Sequence, residues 1–402
     1  MCLGAPSSCR QLCAELAADL QALDAEGLRR SLTSIEAVDG PHVQIAGRQL
    51  VCWCSNDYLG LSTHPALASA AATSARTWGV GARASRLLAG TTSWHQRLEE
   101  ALAAWFGAEA AIVYASGYLA NLGTLQALLS RGDVVLVDRL AHASLLDAAR
   151  STGATFRVFH HNDPDHAADL LEQFTGRRRL IVTEGVFSME GERAPLAELV
   201  SVAQSHGALV YLDDAHGAFV LGPTGRGTPE AAGVPHAALL YMGTLGKALG
   251  TQGGFVVGPA SLINFLQNRA RTFLYATALA VPVVAASVEA LRVLAHDGQR
   301  RQTLETRCRQ LWEGLGRLHA TTLREPSHIL PVVVGSTPRA TALSQRLWDA
   351  GMWCPAIRPP SVPEGGARLR LSLTALHTAS HVDDLLRALG EDDNARAVHH
   401  RD

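Results

Sequence analysis

Seven short runs of apolar, often β-branched residues punctuate the middle of the chain, at 111–115, 134–138, 156–160, 180–184, 208–213, 239–244 and 254–258. Several are apolar almost throughout, the pattern of strands buried on both faces of a parallel sheet. Between most of them lie amphipathic or alanine-rich stretches of helical spacing, such as 119–129, 145–151 and 195–206. Strand and helix in alternation require crossover connections. The pattern predicts an α/β domain with a mostly parallel seven-stranded sheet and helices on both faces. The last two runs are separated by only about ten residues, so strict alternation is not expected there.

The flanks read differently. Residues 10–24 pattern as a helix and 43–54 as a short strand or hairpin. After Leu262 the spacing is helical to about Leu318, with Pro282 in a first helical turn. A strand at 329–334, a helix at 339–350, a strand at 368–373 and a helix at 379–389 form a compact α+β tail. The expected division is an N-terminal helix and strand segment (1–54), a large domain (55–290) and a small C-terminal domain (291–402).

Composition narrows the function classes. A chain of 402 residues buries roughly 75% of its unfolded surface and needs no disulfide or metal staple. A net charge of −2 excludes a basic domain that coats a polyanion, and 47% hydrophobic content excludes disorder. No run reaches the roughly 18–20 apolar residues of a membrane span. Glu15 and Asp19 interrupt the first twenty residues, which lack the build of a secretory signal, so the expected compartment is the cytoplasm. The seven cysteines (2, 9, 13, 52, 54, 308 and 354) have no zinc-site spacing and read as thiols; His399-His400 reads as a frayed terminus.

One count stands out: the chain has a single lysine, Lys247, beside 34 arginines. Lys247 sits in Thr244-Leu-Gly-Lys-Ala-Leu-Gly250, just beyond the carboxyl end of the run at 239–244, where open α/β sheets bind ligands. A lysine that loses its proton can form a Schiff base with an aldehyde; an ordinary surface lysine is the plainer alternative. Asp213-Asp-Ala-His216 ends a neighbouring strand. A carboxylate there can pair with a ring nitrogen, which together with the lysine suggests pyridoxal 5′-phosphate; a helix cap is the alternative. Ser116-Gly117-Tyr118 opens a helix after a strand and would offer backbone N–H groups to a phosphate. His142 could stack on a cofactor ring or simply cap a helix. Arg370, in a period-two strand, could read a carboxylate, as could many of its fellow arginines.

Taken together, these segments resemble the α-oxoamine synthase family of pyridoxal-phosphate enzymes, over about residues 27–390. The resemblance is carried by Ser55-Asn-Asp-Tyr-Leu-Gly-Leu-Ser62, Asp138-Arg-Leu-Ala-His-Ala-Ser-Leu-Leu146, Thr183-Glu-Gly-Val-Phe-Ser-Met-Glu-Gly191, Asp213-Asp-Ala-His-Gly217, the Lys247 segment, and Arg358-Pro-Pro-Ser-Val-Pro363 leading to Arg370. It implies fold type I, a homodimer, and most resembles the branch that joins L-alanine to a pimeloyl thioester, on CoA or an acyl-carrier protein. Other branches, taking glycine with a short acyl-CoA, and a catalytically silent scaffold are the alternatives.

Carried over position by position, the resemblance makes Lys247 the Schiff-base lysine and base. Asp213 pairs with the pyridine nitrogen, His216 and Ser188 lie near the phenolic oxygen, and His142 stacks on the ring and meets substrate. Gly117, Tyr118 and Thr244 hold the phosphate, with Thr277 reaching that of the partner subunit. Asn56 and Arg370 orient the amino-acid carboxylate, while Arg29 (or Arg30) and Ser361 lie along the acyl chain. Arg83-Ala84 depart from a stretch the family fills with glycine.

Overall fold

The computed structural model describes residues 7–321 and 323–390; Cys2 and His399-His400 lie outside them. After a helix at Ser7–Ala25, an antiparallel meander is formed by β1 (Ala37–Asp39), β2 (His42–Ile45) and β3 (Arg48–Cys52). The central sheet then takes β4 (Ala110–Tyr114), β5 (Val134–Asp138), β6 (Thr155–Phe159), β7 (Arg179–Glu184), β8 (Leu209–Asp213), β9 (Leu239–Thr244) and β10 (Gly254–Gly258). Their spatial order is β4-β10-β9-β8-β7-β5-β6.

Five neighbours, from β9 across to β6, run parallel, while β10 is antiparallel to both β9 and β4. The short β9–β10 link explains this, since a parallel partner would need a crossover of a dozen residues or more. Position in the sheet also accounts for composition. All five residues of β5 are buried, whereas edge strand β6 leaves Arg157 and Val158 exposed. Helices cover both faces, giving two apolar layers, one around Leu136, Ile181 and Leu212 and the other around Val135, Val137 and Val182.

The C-terminal part carries β11 (Ile329–Gly335), β12 (Met352–Trp353), β13 (Ala356–Ile357) and β14 (Ala367–Ser372). Strands β11, β14 and β13 form an antiparallel sheet. The two-residue β12 instead pairs in parallel with β3, so the N-terminal meander and the C-terminal part share one sheet. Strand β14 is clamped to the turn after β7 by two buried arginines. Arg368 donates to Met189 O (3.2 Å) and Glu190 Oε1 (3.1 Å), and Arg370 donates to Ser188 O. Arg83 adopts φ 66°, the left-handed region, which costs a side-chain-bearing residue about 1 kcal/mol and which glycine would adopt freely. Among the described residues no helix is long and apolar enough to cross a membrane.

His161 ties two loops near the carboxyl ends of the strands. It bridges Asp138 Oδ1 (2.9 Å), at the end of β5, and Glu192 Oε2 (3.2 Å), beyond β7. Burial works against its charge, but the two carboxylates outweigh that and hold its pKa up at about 9. A folded pKa above the unfolded one stabilises fully below pH 6.5, and the contribution is lost as pH rises through 9. Its size is of order 2–3 kcal/mol. Thermal melts of the native chain should therefore fall between pH 7 and 9.5, and His161→Asn should flatten that dependence while lowering the melting temperature at pH 6.

Candidate active site

Parallel register assembles the site. Glu184 lies beside Asp213 and Asp213 beside Met242, so β7, β8 and β9 end level and present their following turns together. Lys247 lies in the turn after β9. That turn is pressed against the Leu61–Ser62 backbone: a Cβ on Gly250 (φ +70°) would come within 2.5 Å of Ser62 N. Only glycine fits there. Lys247 Nζ lies 2.6 Å from His216 Nε2, and His216 Nδ1 lies 2.6 Å from the Tyr58 hydroxyl. Tyr58 in turn donates to Asn56 Oδ1 (3.1 Å). With a protonated Lys247 donating to Nε2, His216 carries its proton on Nδ1 and gives it to Tyr58 oxygen. Burial and the nearby Lys247 keep His216 well below the ordinary histidine range, hence neutral. Burial brings Lys247 itself down to about 8, against the pull of Asp213 and Glu184.

The two adjacent aspartates divide their work. Asp214 is wholly buried and accepts from Thr228 N (2.8 Å), Thr228 Oγ1 (2.6 Å) and Tyr241 OH (2.9 Å), making it the structural member. Asp213 accepts only from Asn121 Nδ2 (2.7 Å) and the amide of Ala215 (3.0 Å). Among the described residues it has no salt-bridge partner, although it is 5% exposed. A buried carboxylate held only by neutral donors is suited to receive a cationic N–H. Asn121 is fixed in turn by Tyr211 OH on its Oδ1 (2.9 Å) and also donates to Ser144 Oγ (2.9 Å).

The turn after β4 joins that strand directly to a helix start. Ser116 caps the helix Gly117–Leu128 by accepting from Leu119 N, leaving the first amides without helical partners. A Cβ on Gly117 would occupy the space 3.6 Å from Thr244 Oγ1, and one on Gly254 would strike Gly117 Cα at 2.6 Å. Gly254 thus lets β10 pack directly against the backbone of the helix start. The Thr244 hydroxyl is committed locally, donating to Gly253 O (2.8 Å) and accepting from Gly246 N (3.2 Å). Tyr118, largely exposed, donates to Asp147 (2.6 Å).

His142 caps the helix Ala143–Ser151, with Nδ1 accepting from Ser144 N (3.2 Å). That assigns the ring proton to Nε2. Burial lowers its pKa and keeps it neutral. Glu184 accepts from the His142 amide (2.6 Å) and the Ser188 amide (3.2 Å), pinning two site loops together. Burial, reinforced by Asp213, raises its pKa well above the usual carboxyl value.

Arg370, on β14, donates to Ser372 Oγ (2.7 Å), Asn56 Oδ1 (3.3 Å) and Tyr58 OH (3.4 Å) as well as Ser188 O. All four partners are neutral, so a buried guanidinium keeps its charge for a ligand. Four expected residues stand apart from this group. Arg29 is paired with Asp24 (2.5 Å), whereas Arg30 reaches Ser361 Oγ (3.1 Å). Thr277 is exposed and bridges Ser85.

The sequence profile described as aminotransferase class I and II matches residues 48–389. The chain belongs to this family. An 8-amino-7-oxononanoate synthase of Anaeromyxobacter dehalogenans is 47% identical over 374 residues, 93% of this chain and 94% of that one. Among solved structures, a serine palmitoyltransferase of S. paucimobilis with bound PLP and myriocin superposes with a TM-score of 0.89 at 31% identity, covering 94% of this chain and 96% of the other. An 8-amino-7-oxononanoate synthase of Francisella tularensis gives 0.74 at 25% identity, covering 85% and 97%. These relatives are α-oxoamine synthases, and the fold is that of fold type I enzymes.

Sequence reading assigned no role to Tyr58, Asn121 or Glu184, and left open whether Arg29 or Arg30 faces the acyl path. Tyr58 and Glu184 lie inside motif segments, and Asn121 is a polar residue in an otherwise apolar helix one turn after Gly117, a signal that could have marked it. Asn121→Ala should weaken pyridoxal phosphate binding by about tenfold through loss of one charge-assisted hydrogen bond, read by absorbance titration of the cofactor.

Proposed function

We propose that this chain condenses L-alanine with a pimeloyl thioester, releasing CO2 and the free thiol, the 8-amino-7-oxononanoate synthase reaction of biotin biosynthesis. The observation that carries the reading is the convergence of Lys247, Asp213 and an uncompensated Arg370 in a chain 47% identical to an enzyme of that name. Serine palmitoyltransferases superpose well but share 31–34% identity, so global shape marks the wider family and sequence the branch.

The residues fit pyridoxal 5′-phosphate as cofactor. Asp213 would meet its ring nitrogen, the Gly117–Tyr118 amides its phosphate, Lys247 its aldehyde, and His142 its ring face. When bound, the cofactor supplies an electron-poor ring that accepts the electron pair left on an α-carbon. The protein's part follows from geometry. Arg370 grips the alanine carboxylate. Lys247, at about 8, is unprotonated in about a tenth of molecules at pH 7, far more than an ordinary lysine, and takes the α-proton onto Nζ. His142 Nδ1 and Asn56 Oδ1 act as acceptors, which makes His142 Nε2 and Asn56 Nδ2 neutral N–H donors, without acceptors among the described residues; they would steady the thioester oxygen as charge develops. Arg30 and Ser361 mark the acyl path.

The reading includes a homodimer working in the cytoplasm. Val80, Leu87, Leu88 and Tyr275 are 67–81% exposed around the Ser85–Thr277 bridge, an apolar patch that suits a subunit contact. Leu88→Glu should yield a smaller species in sedimentation velocity.

Thiol release should be fast with pimeloyl-CoA plus alanine and slow with acetyl-CoA or succinyl-CoA plus glycine; the reverse preference would overturn the substrate assignment. Borohydride treatment should fix one cofactor on the peptide containing Lys247, and Lys247→Ala should abolish turnover. Arg370→Lys should raise the KM for alanine by about 10- to 100-fold, the worth of a charged hydrogen bond, with a smaller change in the KM for the thioester.

A further inference from the structure

Two cysteines flank Trp53 immediately before the segment that holds Asn56 and Tyr58. Cys52 ends β3 and Cys54 follows the intervening tryptophan, yet both thiols turn to the same side: their Sγ atoms are 3.8 Å apart. Trp53 is fully buried and stacked on His377 (ring centroids 4.1 Å), and His377 Nε2 also contacts Cys52 O (3.2 Å). The backbone between the sulfurs is therefore held while the thiols face each other. Both line a cavity of about 310 Å3, with Ile35, Val38, Asp57 and Trp353 also on its wall. A third thiol, Cys354, is fully enclosed, with its Sγ against Arg370 O (3.8 Å).

We propose that Cys52 and Cys54 form a redox-active dithiol that closes to a disulfide by exchange with a small-molecule disulfide entering this cavity. In the first step a Cys52 thiolate attacks one sulfur of the reagent, forming a mixed disulfide and expelling one thiolate. In the second, Cys54 passes its proton to the expelled thiolate and attacks the Cys52 sulfur, which expels the other thiolate. One disulfide is reduced to two thiols, two protein thiols are oxidised to one disulfide, and the two protons leave with the released thiols. The hydrogen bond between the two thiols lowers Cys52, with burial opposing, and together with burial raises Cys54, so Cys52 is the attacking sulfur of the pair. Closing the sulfurs from 3.8 Å to a bond near 2.05 Å moves Cys54 at the head of the Ser55–Tyr58 segment. The site is separate from Lys247 and does not depend on the substrate assignment.

The test uses the full-length protein with oxidised glutathione, followed by alkylation, trypsin digestion and mass spectrometry. Peptide 49–76 holds both cysteines and no other. The expected result is loss of two hydrogens and resistance to alkylation in that peptide, reversed by dithiothreitol. Cys54→Ser should instead retain one glutathione on Cys52. The exposed pair Cys9 and Cys13 reports general reactivity in the same sample. If peptide 49–76 stays reduced while Cys9 and Cys13 are modified, or if Cys52 pairs with Cys354, the proposal fails. Oxidation should also lower turnover of the wild type and leave Cys52→Ser/Cys54→Ser unaffected.

Discussion

The 2.6 Å contact between Lys247 Nζ and His216 Nε2 joins an amine to a ring nitrogen that brings no charge to meet it. An acid in that position would hold the lysine protonated; a neutral acceptor steadies the amine and leaves its proton mobile. The surroundings keep this balance. Asp213 and Glu184 favour the ammonium, burial and Arg370 oppose it, and the outcome is a pKa close to working pH. His216 stays neutral because it too is buried between cations. Tyr58 and Asn56 extend the contact to Arg370, so the lysine and the buried arginine share one hydrogen-bonded chain.

That chain crosses the whole molecule. Lys247 and His216 come from the turns after β9 and β8, Tyr58 and Asn56 from the segment after the meander, and Arg370 from the C-terminal sheet. The Arg368–Glu190 pair and the Arg370–Ser188 contact fasten that sheet to the loop beyond β7. Removing one member of a buried ion pair leaves an unpaired charge, typically at several kcal/mol. The same contacts that complete the site therefore set the seating of the C-terminal sheet.

Much of this was legible in the sequence. Continuous apolar runs located all seven central strands within a residue or two, because burial on both faces leaves no competing pattern. The antiparallel β10 was signalled only by its short connection. The pairing of β12 with β3 was invisible, since Met352–Trp353 is too short to have a period. At the site, Lys247, Asp213, His216 and His142 stood out as polar residues at strand ends. Glu184 and Asn121 did not, because what each does depends on partners 42 and 92 positions away. Arg29 and Arg30 are adjacent, and only side-chain direction separates the one on Asp24 from the one on Ser361.

The β3–β12 pairing has a consequence for biosynthesis. Val51 finds its partner Met352 about 300 residues later. At a ribosomal rate of roughly 5–20 residues per second, the edge of β3 waits on the order of 15–60 s for that strand to emerge. During the wait an apolar edge carrying Val51, Cys52 and Trp53 is open to the wrong neighbour, and such edges are where nascent chains associate. The N-terminal meander is made first and finished last.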